Sequence, residues 1–259
     1  MQQDEVTAIL SRSFGAVADE YDRLRSGPSE DALDWLLPDG ATAVLELGAG
    51  TGVLTRLLAE RVPHVVAVEP DERMRAVLSD RATGAEVVAG RAEQIPAPDE
   101  SVDAVLAASA WHWVDEAQAV PEVARVLRPG GRLSLVWSGP DRSVDWMRDL
   151  WAGGIVLEPD DQTSVDERRR RRHVVNVGAQ GESPFLTPET RLFTWTRSMT
   201  KDDLVALSTT YSAVITMEED ERQRHLQAMR QFLDTHESFA PLAQIDVPMR
   251  SYCWRAAKR

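Results

Sequence analysis

Cysteine is almost absent from this chain of 259 residues, because Cys253 is the only one. A single thiol cannot form an internal disulfide. The sequence around it also lacks the Cys and His spacing of a zinc site. We therefore expect neither a disulfide framework nor a metal site.

Long apolar runs are missing as well. No stretch approaches the ~18 contiguous apolar residues of a membrane-spanning helix. The first ten residues are acidic and amphipathic, without the basic start and apolar centre of a secretion signal. These absences predict a cytoplasmic protein with no membrane partner.

Basic residues are the third deficit. Lys and Arg number 29 against 42 Asp and Glu, which leaves a net charge of −13 at pH 7. A surface of this sign repels phosphate backbones and anionic lipid. The composition therefore argues against nucleic acid as a partner. We expect a small-molecule substrate and a chain that acts as a monomer or homodimer.

Short apolar runs alternate with amphipathic stretches between residues 41 and 137. This alternation is typical of a parallel sheet with a helix after each strand. Runs such as VVAV and AVLAA are apolar throughout, as expected for strands covered on both faces. The predicted strands are 43–47, 65–69, 86–89, 103–108 and 133–137, and the predicted helices are 53–61, 72–80 and 115–127.

Two regions flank this core. Residues 5–37 predict two helices that lie over the carboxyl edge of the sheet, broken at 26–29, with Ser29 as the N-cap of the second. Residues 140–190 are predicted to be irregular. They contain the arginine run 168–172, which could bind an anionic substrate or an acidic partner. The acidic residues before it favour a solvated loop instead. Beyond them, the predicted elements are strand 192–199, helices 201–212 and 218–237, and strand 248–254.

The most informative segment is a glycine-rich turn after the first strand, with Gly48, Gly50 and Gly52 at alternate positions. Glycine permits positive φ and a close approach of ligand to backbone, and a helix start offers unpaired N–H groups. The spacing differs from the GxGxxG of dinucleotide-binding proteins, because Val53 stands where the third glycine belongs. Taken alone, the turn also fits a tight connection that holds no ligand.

Two carboxylates accompany the turn. Glu69 ends the second predicted strand, where an acidic side chain can accept hydrogen bonds from ribose hydroxyls. Glu46 stands two residues before Gly48 and would favour a ligand with an ammonium or sulfonium charge over a pyrophosphate. The ends of the third and fourth strands, at 90–96 and Ser109, are expected at the same crevice.

Together these features resemble class I S-adenosylmethionine-dependent methyltransferases. The resemblance implies a Rossmann-like α/β fold with seven strands, of which six are parallel and the last reversed, with helices on both faces and N-terminal and inserted lid helices. The motifs that carry it are LELGAGTG (45–52), VAVEPDERM (66–74), GRAEQIPAPDESVDAVLAASAWHWVD (90–115) and VLRPGGRLSLVW (126–137). It further implies a single domain made of a helical cap (1–40), a cofactor-binding core (41–138), an irregular insertion or lid (139–190) and a part that completes the sheet (191–259).

The resemblance also assigns contacts with S-adenosylmethionine. Glu69 would bind the ribose, Pro70 or Met74 would touch the adenine region, and Ala92 with Glu93 would border the adenine edge. Met74 equally fits the core of its helix. The full set of implied cofactor contacts in the core is Glu46, Gly48, Ala49, Gly50, Gly52, Glu69, Pro70, Met74, Ala92, Glu93 and Ser109.

Two further strings, at 14–25 and 109–115, resemble the small-molecule group of trans-aconitate methyltransferase-like (methyltransferase type 11) proteins. This resemblance places Tyr21 and Arg25 over the cofactor. Arg25 would pair with the carboxylate of the cofactor, since a guanidinium and a carboxylate form a bidentate pair.

Methyl transfer from a sulfonium is an in-line displacement that needs no metal. His112 is the candidate general base for a hydroxyl acceptor, whereas a carboxylate acceptor is already ionised. A hydrogen-bonded structural histidine fits His112 equally well. The predicted substrate contacts are Trp111, His112, Trp113 and Trp137.

Three alternatives stay open. A non-methylating protein or regulator that binds the same cofactor could have this fold, since fold does not define function. A nucleic-acid methyltransferase would show a basic face, and an Asn/Asp-Pro-Pro-aromatic tetrad for amino-base targets, where this chain has Ser109-Ala110-Trp111-His112. An NAD-dependent oxidoreductase is disfavoured by the glycine spacing and by Glu46.

Overall fold

The structure, a computed structural model, describes residues 22–152, 175, 177 and 183–259. Its strands are β1 (Ala43–Leu47), β2 (His64–Val68), β3 (Glu86–Val88), β4 (Val102–Ala108), β5 (Leu127–Pro140), β6 (Glu189–Thr200) and β7 (Gln244–Ala257). Its helices are α1 (Glu30–Leu36), α2 (Val53–Ala59), α3 (Glu72–Arg81), α4 (Glu116–Val126), α5 (Asp145–Trp151), α6 (Lys201–Ser208), α7 (Ser212–Ile215) and α8 (Glu219–Thr235), with a 3-10 turn at Trp111–Trp113.

The strands form one sheet in the order β3-β2-β1-β4-β5-β7-β6. Strands β1 to β5 pair in parallel, whereas β7 runs antiparallel to both β5 and β6. Strand β6 therefore points in the same direction as the first five. The predicted sheet of seven strands, with only the last reversed, is confirmed.

The predicted boundaries agree with β1 to β4 within one residue. Strands β5, β6 and β7 are longer than predicted, because their ladders continue through polar positions: β5 pairs with β7 from Arg132 to Pro140. The prediction of an irregular segment after residue 140 is wrong for α5. Its Met147 and Leu150 are fully buried, and a helix of only seven residues is too short to give a clear periodic signal.

Opposite faces of the sheet are buried against different helices. Leu45, Val105 and Leu135 point to the side covered by α4. Their neighbours Val44 and Leu106 point to the side covered by α1 and α2. This alternation follows from the two-residue period of a strand, and burial on both faces explains why the central strands are apolar throughout.

Helix α1 begins at the predicted cap, since the Ser29 hydroxyl accepts the N–H of Ala32 at 3.3 Å. The expectation that this helix lies over the carboxyl edge is wrong. It packs on the face of the sheet, where the Ser134 hydroxyl donates to the Leu36 carbonyl at 2.7 Å. Residues 25–28, just before it, do border a small cavity at the carboxyl edge. Most of the other helix predicted within 5–37 lies outside the described residues.

A second core joins α5, α6 and α8 to the sheet. Met147, Leu204 and Met229 come from these helices, and Met199 and Ile245 come from the ends of β6 and β7 that face them. The helical additions after β5 and β6 are thus packed against each other. Their predicted role as a lid stays a prediction.

The thiol of Cys253 belongs to the core under α1. Burial raises the pKa of this thiol to about 12, so it stays protonated at physiological pH.

The side chain of Asp103 ties β4 to the start of β1. One of its oxygens accepts the N–H groups of Thr42 (2.8 Å) and Ala43 (3.0 Å), and the other pairs with Arg128. Although partial burial opposes ionisation, these donors lower the pKa of Asp103 to about 2.

Replacement of Asp103 by Asn is expected to lower the free energy of unfolding at pH 7 by about 2 kcal/mol, since it weakens hydrogen bonds to a charged group. The folded pKa of about 2 lies below the ordinary value of 3.8. The wild type therefore gains this stability above pH 3.8 and loses it as the pH falls towards 2. Urea unfolding at several pH values measures both effects.

Asp99→Asn is the matched control. The Asp99 side chain is 75% exposed in its pair with Arg125, so its replacement should cost less than about 1 kcal/mol. An equal loss in both variants, or a loss independent of pH, would contradict the role given to Asp103.

Candidate active site

The glycine-rich turn connects β1 to α2 at the carboxyl edge of the sheet. Gly48, Gly50 and Gly52 have φ of 65°, 60° and 92°, which L side chains rarely adopt. The N–H groups of Gly48 and Ala49 donate to the Val68 carbonyl at 2.9 and 3.1 Å. These two bonds hold the turn against β2.

The space around the three glycines differs. A Cβ at Gly48 would lie 2.7 Å from the Cβ of Ala110, and one at Gly52 would lie 2.6 Å from Leu78 Cδ1. A Cβ at Gly50 would meet nothing within 4 Å among the described residues. Gly48 and Gly52 are therefore needed for packing, whereas Gly50 leaves an open cradle.

This cradle faces a cavity of about 450 Å³ at the carboxyl ends of the parallel strands. That volume is typical of small-molecule sites. The structure brings most of the sequence-predicted residues together here. Those that line the cavity are Arg25, Gly48, Gly50, Glu69, Pro70, Met74, Ala92, Glu93, Ser109, His112, Trp113 and Trp137.

Glu69 is the buried acid of this cavity, with only 6% of its surface exposed. Its two oxygens accept the N–H groups of Gly50 (2.8 Å) and Asp71 (2.9 Å). The Arg75 side chain donates to the backbone carbonyl of Glu69 at 2.9 Å, which also helps to fix the position of this residue. Burial raises the pKa of the carboxyl above its ordinary value, against the effect of the two N–H groups. The side chain is fixed in place before any ligand binds.

Glu46 lies deeper, at 1% exposure, and accepts a hydrogen bond from the Thr55 hydroxyl at 2.6 Å. Burial raises its pKa to about 8, with a smaller contribution from the Glu69 charge. Glu46 is therefore mostly protonated at pH 7. Desolvation disfavours the ionised form, and the predicted preference of Glu46 for a cationic ligand stays a prediction.

A second cavity of about 60 Å³ adjoins Glu46, Ala49, Ser109 and Ser138, and Arg25 lines both cavities. The hydroxyl of Thr51 is buried at its wall and has no hydrogen-bond partner in the described part of the chain. Thr51 stands between Gly50 and Gly52 but belongs to no predicted set of site residues. A buried hydroxyl without a partner is unfavourable, so this atom calls for a ligand or a water.

The 3-10 turn after β4 places only some of its predicted site residues at the cavity. His112 is exposed at the cavity wall with its ring centroid 4.6 Å from that of Trp113, which also lines the cavity. Trp111 does not reach the cavity: it is 2% exposed, packs in the core and donates its indole N–H to Glu116 at 2.7 Å. The predicted substrate contact of Trp111 is therefore corrected to a core position.

Gly52 also lies off the cavity wall, as the N-cap of α2, so its role is to shape the turn. The predicted contact of Tyr21 and the arginine run 168–172 fall outside the described residues.

The far end of the cavity contains three residues that sequence analysis missed: Arg142, Tyr211 and Arg250. They come from the segment after β5, the turn between α6 and α7, and β7. No local motif marks them, because only the folding of the C-terminal part over β5 brings them to the cavity.

Within the described residues, no group of three or more His, Cys, Asp or Glu side chains is arranged to hold a metal ion. The same part of the chain contains no helix with both the length and the apolarity to cross a membrane.

A glycine cradle after β1, a buried acid after β2 and this strand order together define a class I S-adenosylmethionine-dependent methyltransferase. Residues 45–135 match the family model described as a methyltransferase domain. The chain is 42% identical over 247 residues to an uncharacterised methyltransferase of Mycobacterium tuberculosis, which covers 95% of this chain and 96% of that protein. The chain belongs to this methyltransferase family.

Two other likenesses are more distant. A malonyl-[acyl-carrier protein] O-methyltransferase of Methylococcus capsulatus is 34% identical over 181 residues, which are 65% of this chain and 64% of that protein. A solved structure described as a type II methyltransferase, from Anaeromyxobacter dehalogenans, has the same fold, with a TM-score of 0.63, 23% identity and coverage of 91% and 97%. The likeness to trans-aconitate methyltransferase-like proteins stays a prediction.

Replacement of Glu46 by Gln is expected to stabilise the protein at alkaline pH. In the unfolded chain this carboxyl has its ordinary pKa of 4.5, whereas the folded protein retains the proton up to about pH 8. The wild type therefore loses stability as the pH rises between these values, by up to about 1.4 kcal/mol per pH unit. Gln cannot ionise, so the variant avoids this loss, and urea unfolding at pH 5.5 and 8.5 measures the difference.

Glu60→Gln serves as the control, since the Glu60 side chain is 71% exposed and should give the same difference from wild type at both pH values. If Glu46→Gln behaved like the control, Glu46 would be ionised in the folded protein at pH 7.

Proposed function

We propose that this enzyme binds S-adenosylmethionine at the Glu69 end of the cavity and methylates a carboxylate or hydroxyl oxygen of a small-molecule acceptor. The cofactor supplies an electrophilic methyl group on a sulfonium. The observation that carries the proposal is Glu69, a buried carboxylate held by Gly50 and Asp71 beside an open glycine cradle.

The residues fit the adenosine part of this cofactor. A carboxylate has about four lone-pair positions, and Glu69 uses two of them for backbone N–H groups. The other two are available to ribose hydroxyls. Met74 and Ala92 are 5% exposed and supply apolar wall for the adenine.

The small cavity fits the amino-acid part of the cofactor. Its wall holds Glu46 and the unpartnered hydroxyl of Thr51, and Arg25 stands at its junction with the larger cavity. An ammonium near Glu46 would favour the ionised carboxyl and lower its pKa. Binding would then release a proton, and Arg25 would pair with the cofactor carboxylate.

The acceptor would occupy the remainder of the large cavity, towards Trp113 and Trp137. The protein would mainly orient the acceptor oxygen and exclude water, which is what an in-line displacement requires. The likeness to an O-methyltransferase supports oxygen as the acceptor atom. His112, exposed at the wall, would take the proton of a hydroxyl acceptor and would be dispensable for a carboxylate.

Replacement of Glu69 by Ala is expected to weaken binding of S-adenosylmethionine and S-adenosylhomocysteine tenfold or more, because two hydrogen bonds to the ribose are lost. Calorimetric titration measures the affinity. Repeating it in buffers of different ionisation enthalpy counts the proton that Glu46 releases. Glu72→Ala is the control, because Glu72 lies three residues after Glu69 in the first turn of α3 and does not line the cavity.

Equal affinity in both variants would contradict the proposed contact between Glu69 and the ribose. A protein that binds NAD but neither S-adenosylmethionine nor S-adenosylhomocysteine would overturn the proposed function.

Gly50→Ala and Gly40→Ala form a matched pair. Both positions have positive φ, 60° and 69°, and a Cβ at either meets nothing within 4 Å among the described residues. Each change should therefore cost about 1–2 kcal/mol of stability. Only the Cβ at Gly50 enters the cavity, so only Gly50→Ala should weaken S-adenosylhomocysteine binding, by tenfold or more.

Thermal unfolding and calorimetry separate the two effects. Similar affinity in both variants would contradict a close approach of the cofactor to Gly50.

A further inference from the structure

Tyr211 presents an unusual hydroxyl to the large cavity. Its Oη is buried and has no hydrogen-bond partner in the described part of the chain. A Cβ at Gly139 would lie 2.8 Å from this oxygen, so the hydroxyl rests over the end of β5. Gly139 in turn pairs with Arg250 on β7. A buried donor of this kind is satisfied only by a ligand or a water.

Two guanidinium groups lie over the aromatic ring that carries this hydroxyl. Arg25 lies 3.8 Å and Arg142 5.4 Å from the centroid of the Tyr211 ring, and Arg142 also lies 4.7 Å from the centroid of the Trp151 ring. The rings therefore hold both cations beside the phenol, since cations are attracted to aromatic faces.

Arg250 is the third cation of this end. Its Nη1 lies 3.3 Å from Asp141 Oδ1, an oxygen that also accepts the N–H of Ser143 at 3.0 Å. Arg25, Arg142 and Arg250 thus all line this part of the cavity.

The opposite end of the cavity is lined by the side chains of Glu69, Glu93 and Arg91. Trp113 and Trp137 lie on the wall as well and provide apolar surface. Among the described residues, both carboxyl groups of the cavity wall therefore lie at the proposed ribose end, whereas three of its four guanidinium groups lie near Tyr211.

We propose that Tyr211, Arg142 and Arg250 form an anion subsite that recognises a carboxylate or phosphate group of the acceptor. The rest of the acceptor is apolar and packs on Trp113 and Trp137. Guanidinium and phenol donors bind these anions through charge-assisted hydrogen bonds. This inference rests on the proposed function, to which it adds the chemical class of the substrate.

The test uses the full chain saturated with S-adenosylhomocysteine and three probes of similar shape. Phenylacetate and phenyl phosphate carry the two candidate anions, and phenylacetamide is the neutral counterpart. Calorimetric titration should give at least tenfold tighter binding for one anion than for the amide. The anion that binds more tightly shows whether the subsite recognises a carboxylate or a phosphate group of the acceptor.

Two variants probe the subsite separately. Tyr211→Phe removes only the hydroxyl and Arg142→Gln removes one charge, and each should weaken anion binding about tenfold with little change for the amide. S-adenosylhomocysteine affinity should stay within twofold of wild type. Arg222→Gln is the control, because Arg222 pairs with Glu219 on α8 away from the cavity. Thermal unfolding verifies that each variant is folded.

Equal affinities for the anions and the amide would overturn the subsite, as would wild-type anion binding in both variants. If S-adenosylhomocysteine still binds in that case, the proposed function stands without it. Anion binding that depends on Tyr211, in a protein that does not bind S-adenosylhomocysteine, would retain the subsite and remove the proposed function.

Discussion

The parallel pairing of the central strands is the constraint on which the site depends. It brings the ends of β1, β2 and β4 to one edge, and in each case the hydrogen-bond ladder continues into the first residue of the loop. Gly48 N–H donates to Val68, Glu69 N–H donates to the next strand at Val88, and Ser109 N–H donates to Val136. Three loops that are distant in sequence therefore begin from fixed positions, which makes their side chains a preformed site.

At the same edge of the sheet, two carboxyl groups are buried, which disfavours their ionised forms. Glu46 and Glu69 are both buried there, and burial raises the pKa of each. Their hydrogen-bond partners differ. Glu69 receives two backbone N–H groups, whereas Glu46 receives one hydroxyl. One acid is thus held ready to accept hydrogen bonds, and the other is poised to exchange a proton when a cation approaches.

The part of the site that the sequence predicts is the part made by local chain geometry. A glycine turn after a strand and an acid at the end of the next strand occupy the edge wherever the strands are parallel, so Gly50 and Glu69 could be located in advance. Local spacing says less about where a side chain points. Trp111 and His112 are neighbours, yet one enters the core and the other the cavity, because the 3-10 turn sends them to opposite sides.

Length and pattern likewise determined the order of strands and helices, since apolar periodicity reports burial directly. Tertiary structure alone decided what closes the cavity. Arg142, Tyr211 and Arg250 meet only because β7 returns antiparallel between β5 and β6 and the later helices pack over the end of β5. The protonation of Glu46 is a tertiary property too, because a pKa of about 8 arises from burial by residues far apart in the chain. The sequence by itself thus determined the fold and the cofactor end of the cavity, and the three-dimensional packing decided the charge and shape of the other end.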